Sequence, residues 1–137
     1  MARKNSIQEK IEARIAKRGD AAFLTREFAD LGGKRQVLRA LANTVTAGQL
    51  VRLGYGVYGR AERSPLSGQP MLASQQGFVG AARQALNKLG VAWEPGQWEK
   101  AYNEGRSTQV PVNAAVRVKG PFARRLSYRG KPLLLER

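Results

Sequence analysis

Residues 23–58 read FLTREFADLGGKRQVLRALANTVTAGQLVRLGYGVY, and the pattern of this stretch decides the fold. It runs as a short helix, a glycine turn, a longer helix and two short strands around Gly54-Tyr55-Gly56. Thr25 stands where an N-cap is needed, offering an oxygen to a backbone N–H of the first turn. Phe28 and Leu31 follow three residues apart on one face. Gly32-Gly33 breaks the pattern where a helix needs a left-handed exit. A second helix is expected from Lys34, with Val37, Leu38, Leu41 and Val45 in one apolar stripe. Arg35, Gln36, Arg39 and Asn43 fall on the opposite face, and Ala47-Gly48 ends the helix with Gly48 as its C-cap. Leu50, Val51, Leu53, Val57 and Tyr58 are strand formers. Gly54 and Gly56 permit positive φ at a tight turn. This is the order of a winged helix-turn-helix.

The exposed chemistry of such a unit points to duplex DNA. Guanidinium and amide groups read guanine and adenine edges in the major groove, which suits Arg35, Gln36, Arg39 and Asn43. Lys34 and Thr25, near helix N-termini, suit phosphates. Arg52 and Tyr55, at the strand turn, suit the flanking backbone or the minor groove. A solvated face is the usual explanation for any single helix of this kind. The combination of helix order, hairpin and charge is what favours DNA. The formal net charge is +14, with 13 Lys/Arg against 6 Asp/Glu in residues 1–63 and 11 against 4 in residues 64–137. Both halves should be drawn to a polyanion, with strong salt dependence.

Outward from this stretch, Ser6 and Glu9 form a capping-box pair ahead of a helix whose Ile7, Ile11 and Ile15 repeat at spacing four. Gly19-Asp20 should end that helix, and Phe23-Leu24 should add a short strand. After the hairpin, GRAERSPLSGQP (residues 59–70) is rich in Gly, Ser, Pro and charge and reads as a linker. Residues 78–89 form an amphipathic helix pattern ended by Gly90. Residues 91–93 suggest a strand, and Pro95 suits the first turn of another helix. Val112, Ala114, Val116 and Val118 alternate as in a half-buried strand. Residues 126–135 suggest a closing hairpin. The expected fold class is therefore α+β: a winged helix-turn-helix domain over 1–60, a linker over 61–77 and a small α+β C-terminal domain over 78–137.

Composition excludes much else. Cysteine and histidine are both absent, so disulfides, thiolate chemistry and the commonest general base and zinc ligand are gone. No phosphate-binding glycine loop and no metal-ligand spacing stands in the chain. No catalytic residue, metal or cofactor is expected, and the protein is not expected to be an enzyme. No run approaches the ~18 apolar residues of a membrane span, and the N-terminus lacks a secretory apolar run. A cytoplasmic protein without a membrane partner is expected.

The stretch from Ile11 to Tyr58 also resembles the N-terminal domain of AbiEi-type antitoxins of type IV toxin–antitoxin systems, in their short, mobile-element-borne branch. AYNEGRSTQVPVNAAV (residues 101–116), with Ser107 to Pro111 at its centre, resembles a second signature of that branch. The resemblance implies a transcriptional repressor that binds inverted repeats in its own promoter. It also implies a functional link to a nucleotidyltransferase-like toxin, with antitoxicity carried by the C-terminal part. The chain departs from that pattern at Tyr55, where a basic residue is usual, at Asn43, where arginine is frequent, and at Gly59-Arg60, where proline is common. Its C-terminal half is also shorter than in the long relatives. Two alternatives stay open from the residues themselves. One is an RNA-binding module stacking bases on Trp93, Trp98 or Tyr102; the other is a protein-interaction module using the basic surface.

Overall fold

The computed structural model describes residues 6–74, 76–105, 115–120, 122 and 124–136, and all side chains among them except that of Trp98. The fold is mixed α+β, with five helices and three small sheets among the described residues. The elements are α1 (Ile7–Lys17), β1 (Ala22–Leu24), a 3-10 helix η1 (Thr25–Leu31), α2 (Lys34–Thr46), β2 (Leu50–Gly54), β3 (Val57–Arg63) and β4 (Pro70–Leu72). They continue with α3 (Gly77–Lys88), β5 (Trp93–Pro95), α4 (Gln97–Asn103), β6 (Ala115–Val118), β7 (Ser127–Tyr128), β8 (Lys131–Pro132) and β9 (Leu134–Glu136).

The ends of α1 and α2 follow local chemistry. Ser6 Oγ accepts the Glu9 N–H at 3.1 Å and donates to the Glu9 carboxylate at 2.9 Å, starting α1. Ile11 and Ile15 are then buried. α2 ends as its glycine foretells: Gly48 takes φ +85°, and the N–H groups of Ala47 and Gln49 return to the carbonyls of Asn43 and Thr44.

Two elements depart from expectation. The first helix of the central stretch is a single 3-10 run in which Thr25 is helical rather than capping. The capping role falls to Glu27, whose carboxylate accepts the Leu24 N–H at 2.7 Å. Gly32 is extended rather than left-handed. It lies close against α1: a Cβ there would come within 2.7 Å of Ile7 Cδ1, the end of a flexible side chain that would have to shift.

β3 organises the first sheet. It runs antiparallel to β2 on one edge and to β1 on the other. Arg60 donates its N–H to Ala21 O, and its carbonyl accepts the Ala73 N–H. Both groups of one strand residue point to the same side, so β1 and β4 follow one another along one edge of β3. Residues 61–77, expected as a linker, therefore hold the end of β3, a turn, the strand β4 and the start of α3. Polar composition suggested a loop there, but ladder hydrogen bonds join residues 61–63 to 70–72, and Leu72 is buried.

Both faces of this sheet are covered. Phe23, Leu50 and Tyr58 pack with Phe28, Val37, Leu41, Ile11 and Ile15 beneath α1, η1 and α2. Ala22, Leu24, Leu53, Val57 and Leu72 pack on the other face with α3 and with Val116, Val118, Leu126 and Leu133. The alternation of a strand thus serves two cores at once. An ion cluster closes the joint. Lys88 Nζ donates to Asp20 at 2.8 Å, to Glu27 at 3.0 Å and to Ala22 O at 2.7 Å. Gln84 accepts the N–H groups of Ala21 and Ala22.

In the C-terminal half, Pro95 lies in β5, and Gly96 rather than Pro95 opens α4. Arg129 (φ 51°) and Gly130 (φ 78°) turn the β7–β8 hairpin, as a two-residue hairpin loop requires. β9 leaves that hairpin and pairs in parallel with β6. Val116 and Val118 are buried as the alternation predicts, while Val112 and Ala114 lie outside the described residues.

Candidate nucleic-acid interface

α2 buries Val37, Ala40, Leu41 and Thr44. This corrects the expected stripe. Leu38 is 40% exposed, and its place in the core contact falls to Ala40 and Thr44. Thr44 can be buried because its hydroxyl donates to Ala40 O at 2.8 Å. With the buried face so placed, Lys34, Arg35, Gln36, Arg39 and Asn43 are all exposed. At ~100° per residue, Arg35 and Arg39 point most directly away from the core, and Gln36 and Asn43 lie on one flank. Lys34, Leu38 and Ala42 lie on the other flank, where they wall a groove.

The β2–β3 hairpin forms the opposite wall. Arg52 is exposed, and Tyr55 at the tip is 75% exposed. Only Gly56 uses positive φ, at +67°. Gly54 serves a different need: a Cβ there would stand 2.5 Å from the Arg125 carbonyl oxygen and 2.9 Å from Leu126 Cδ2.

The groove encloses about 700 Å³. Leu24, Val37 and Tyr58 contribute apolar surface to it, and Arg26, Lys34, Arg52 and Arg124 supply its cations. Among the described residues, no aspartate or glutamate lines it. Thr25 also lines it, but its hydroxyl oxygen is buried and has no hydrogen-bond partner among the described residues. Thr25 is thus a wall residue here, and its hydroxyl does not reach the surface where a phosphate contact was expected.

The acidic side chains sit elsewhere. No carboxylate stands between Asp30 and Glu62 in the chain, whereas Lys34, Arg35, Arg39, Arg52 and Arg60 do. Asp20 and Glu27 are engaged by Lys88, and Glu27 also by Arg18 at 3.0 Å. Arg14 donates to both oxygens of Asp30, at 2.8 and 2.9 Å. Those hydrogen bonds hold the Asp30 carboxyl down to about 2 and raise the Arg14 guanidinium above its ordinary value. Arg60 is a cation with a structural task. Its guanidinium donates to Ile15 O and Arg18 O at the end of α1 and to Asp20 O, and it lies 5.7 Å from the Phe23 ring centroid.

The aromatic residues of the RNA alternative are placed differently. Trp93 donates its Nε1–H to Asn87 at 2.7 Å, and the Arg83 guanidinium lies over its ring at 4.8 Å. That ring face is already occupied. Tyr102 is 43% exposed. The Trp98 side chain and residues 107–111, which carry the second signature of the resemblance, lie outside the described residues.

Sequence reasoning missed Arg26 and Arg124 as members of this surface. The carboxylate-free run was the available signal for the surface as a whole; Arg124 had none, being far away in the chain. Among the described residues, no group of three acidic, histidine or cysteine side chains could hold a metal ion, and no helix is long and apolar enough to cross a membrane. Comparison with protein families, curated proteins and solved structures finds no match.

Proposed function

We propose that this chain binds double-stranded DNA in a sequence-specific manner as a winged helix-turn-helix protein, with α2 as recognition helix and the β2–β3 hairpin as wing. The observation that carries the reading is the exposed ridge of Arg35 and Arg39 on α2. Asn43 and Gln36 flank it, and it stands beside a hairpin bearing Arg52 and Tyr55, with no carboxylate among the described residues on the groove between them. An isolated α-helix ridge of this kind fits the major groove, and its donor set matches base edges. Lys34 at the start of α2 and Arg52 on the hairpin supply phosphate contacts.

The role that fits this binding mode is transcriptional repression. The resemblance to AbiEi-type antitoxins extends it to an autorepressor that acts on inverted repeats in its own promoter and is functionally linked to a nucleotidyltransferase-like toxin. Fluorescence anisotropy with labelled duplex from upstream of its own gene tests the binding. Scrambled duplex and single-stranded RNA serve as competitors. The expected result is preference for the upstream duplex, with log affinity falling linearly in log salt by about 0.9 per phosphate neutralised. Stronger competition by RNA than by duplex refutes the reading. Growth rescue on co-expression with the product of a neighbouring nucleotidyltransferase-like reading frame tests the antitoxin role.

A further inference from the structure

We propose that the C-terminal half is part of the DNA-contacting surface. The Arg124 guanidinium, assisted by Arg26, takes backbone phosphates along the groove between α2 and the hairpin. The inference rests on the DNA reading above and extends it to residues outside the helix and hairpin.

Arg124 and Arg26 share the groove with Lys34 and Arg52, so cations stand on its walls from η1, from α2, from the hairpin and from the C-terminal segment. Among the described residues, no carboxylate lines the groove beside them. Arg124 is exposed. Arg26 donates to the Lys88 carbonyl, which leaves other donors of its five-donor fork for a ligand. A path with fixed cations on several walls and no anion suits a polyanionic strand, whose successive phosphates need several partners.

The placement of Arg124 is built rather than incidental. Two residues on, Leu126 is 1% exposed and belongs to the core that holds Leu53 and Val57 of the hairpin. The Leu126 carbonyl accepts the Leu133 N–H at 2.8 Å. The Arg125 backbone lies so close to Gly54 that no side chain fits between them. The Tyr128 hydroxyl accepts the Leu72 N–H at 2.9 Å, tying the same segment to β4. Arg124 is thereby held in register with the hairpin.

The test uses the full chain with upstream and unrelated duplexes over a salt series, comparing wild type, Arg39→Ala, Arg124→Ala and Arg124→Lys. A phosphate contact is blind to sequence. Arg124→Ala should weaken both duplexes by the same factor, about fivefold on the scale of one exposed ion pair. It should also lower the salt slope by about 0.9, and Arg124→Lys should restore much of both. Arg39→Ala should weaken the upstream duplex more than the unrelated one. Unchanged melting of Arg124→Ala shows that folding is intact; if it melts early, Arg124→Gln replaces it. Wild-type affinity and slope in the Arg124 variant, with Arg39→Ala still impaired, overturn this inference and leave the DNA reading standing. A wild type that ignores duplex and binds an acidic peptide such as polyglutamate overturns both.

Discussion

Replacing Lys88 by methionine should destabilise the fold, because it removes the cation that Asp20 and Glu27 share at the joint between α3 and the first sheet, leaving Glu27 to Arg18 alone. The ammonium is held by Asp20, by both oxygens of Glu27 and by the Ala22 carbonyl, at 2.7 to 3.1 Å. The side chains are only partly accessible: 21% for Lys88, 33% for Asp20 and 16% for Glu27. Breaking a fully buried pair costs about 3–5 kcal/mol, and an exposed pair contributes at most about 1 kcal/mol. Residual hydration places this cluster between those limits, at about 2–3 kcal/mol. Methionine keeps an apolar stem over the Phe23 ring, where Lys88 Nζ lies 4.8 Å from the centroid, so lost packing adds little. At roughly 4 °C per kcal/mol for a chain of this size, the melting temperature should fall by about 10 °C. Thermal melting followed by circular dichroism reads this directly. A double-mutant cycle with Asp20→Asn sharpens it: removing the carboxylate left without its lysine should recover about 1 kcal/mol. Melting of Lys88→Met within about 1 °C of wild type would refute the argument. So would strict additivity in the cycle.

Arg39→Ala should weaken binding to the upstream duplex by about 1–3 kcal/mol, the scale of one base-edge contact, and anisotropy titration measures it. Gly54→Ala should cost about 1–3 kcal/mol of stability, because its Cβ meets a backbone carbonyl that cannot swing away. Denaturant unfolding reads that loss, and duplex affinity of the still-folded fraction should fall as the hairpin shifts. Asp30→Asn should expose an acid-dependent gap. The Asp30 carboxyl sits at about 2 in the fold against an ordinary 3.8. Its contribution is therefore complete above about pH 5 and fades as pH drops through the folded value. The stability difference between wild type and Asp30→Asn should be flat at neutral pH and close between pH 4 and 2; a gap that widens on acidification refutes the pairing.

Local chemistry was legible in the sequence wherever it acts over a few residues. Ser6 with Glu9, the isoleucines of α1, the extent of α2 and the Gly48 terminus all depend on neighbours within a turn or two. The centre of the α2 stripe was misjudged because Ala40 and Thr44 score weakly as apolar. Thr44 becomes buriable only through its bond to Ala40 O. Gly32 and Gly54 looked like φ specialists, yet neither adopts the left-handed region, and Gly54 is required by a distant partner, the Arg125 backbone. Nothing within the local sequence carries that information. The polar stretch after the hairpin hides β4 for the same reason, since its order comes from ladder bonds to β3. The parallel pairing of β9 with β6 likewise has no local signature. Of the candidate surface, the exposed cations of α2 and the hairpin were readable from helical period and turn chemistry. Arg124 was not, because only tertiary packing brings it to the groove.

The same packing explains why the cationic ridge and the hairpin hold a fixed spacing. Adjacent residues of β3 face opposite ways: Tyr58 enters the core under α2, and Val57 enters the core shared with α3 and Leu126. Sliding the hairpin relative to α2 would have to disturb both cores at once, and close-packed interiors resist such displacement. Beyond the clamp, Tyr55 is 75% exposed, whereas Gly56 carries the positive φ and its carbonyl accepts the Thr25 N–H at 3.0 Å. A groove whose walls are packed on two cores, with an exposed aromatic side chain at its tip, suits a surface that must meet regularly spaced phosphates. It also means that the C-terminal half, far from being an appendage, sets the geometry of the surface proposed to read DNA.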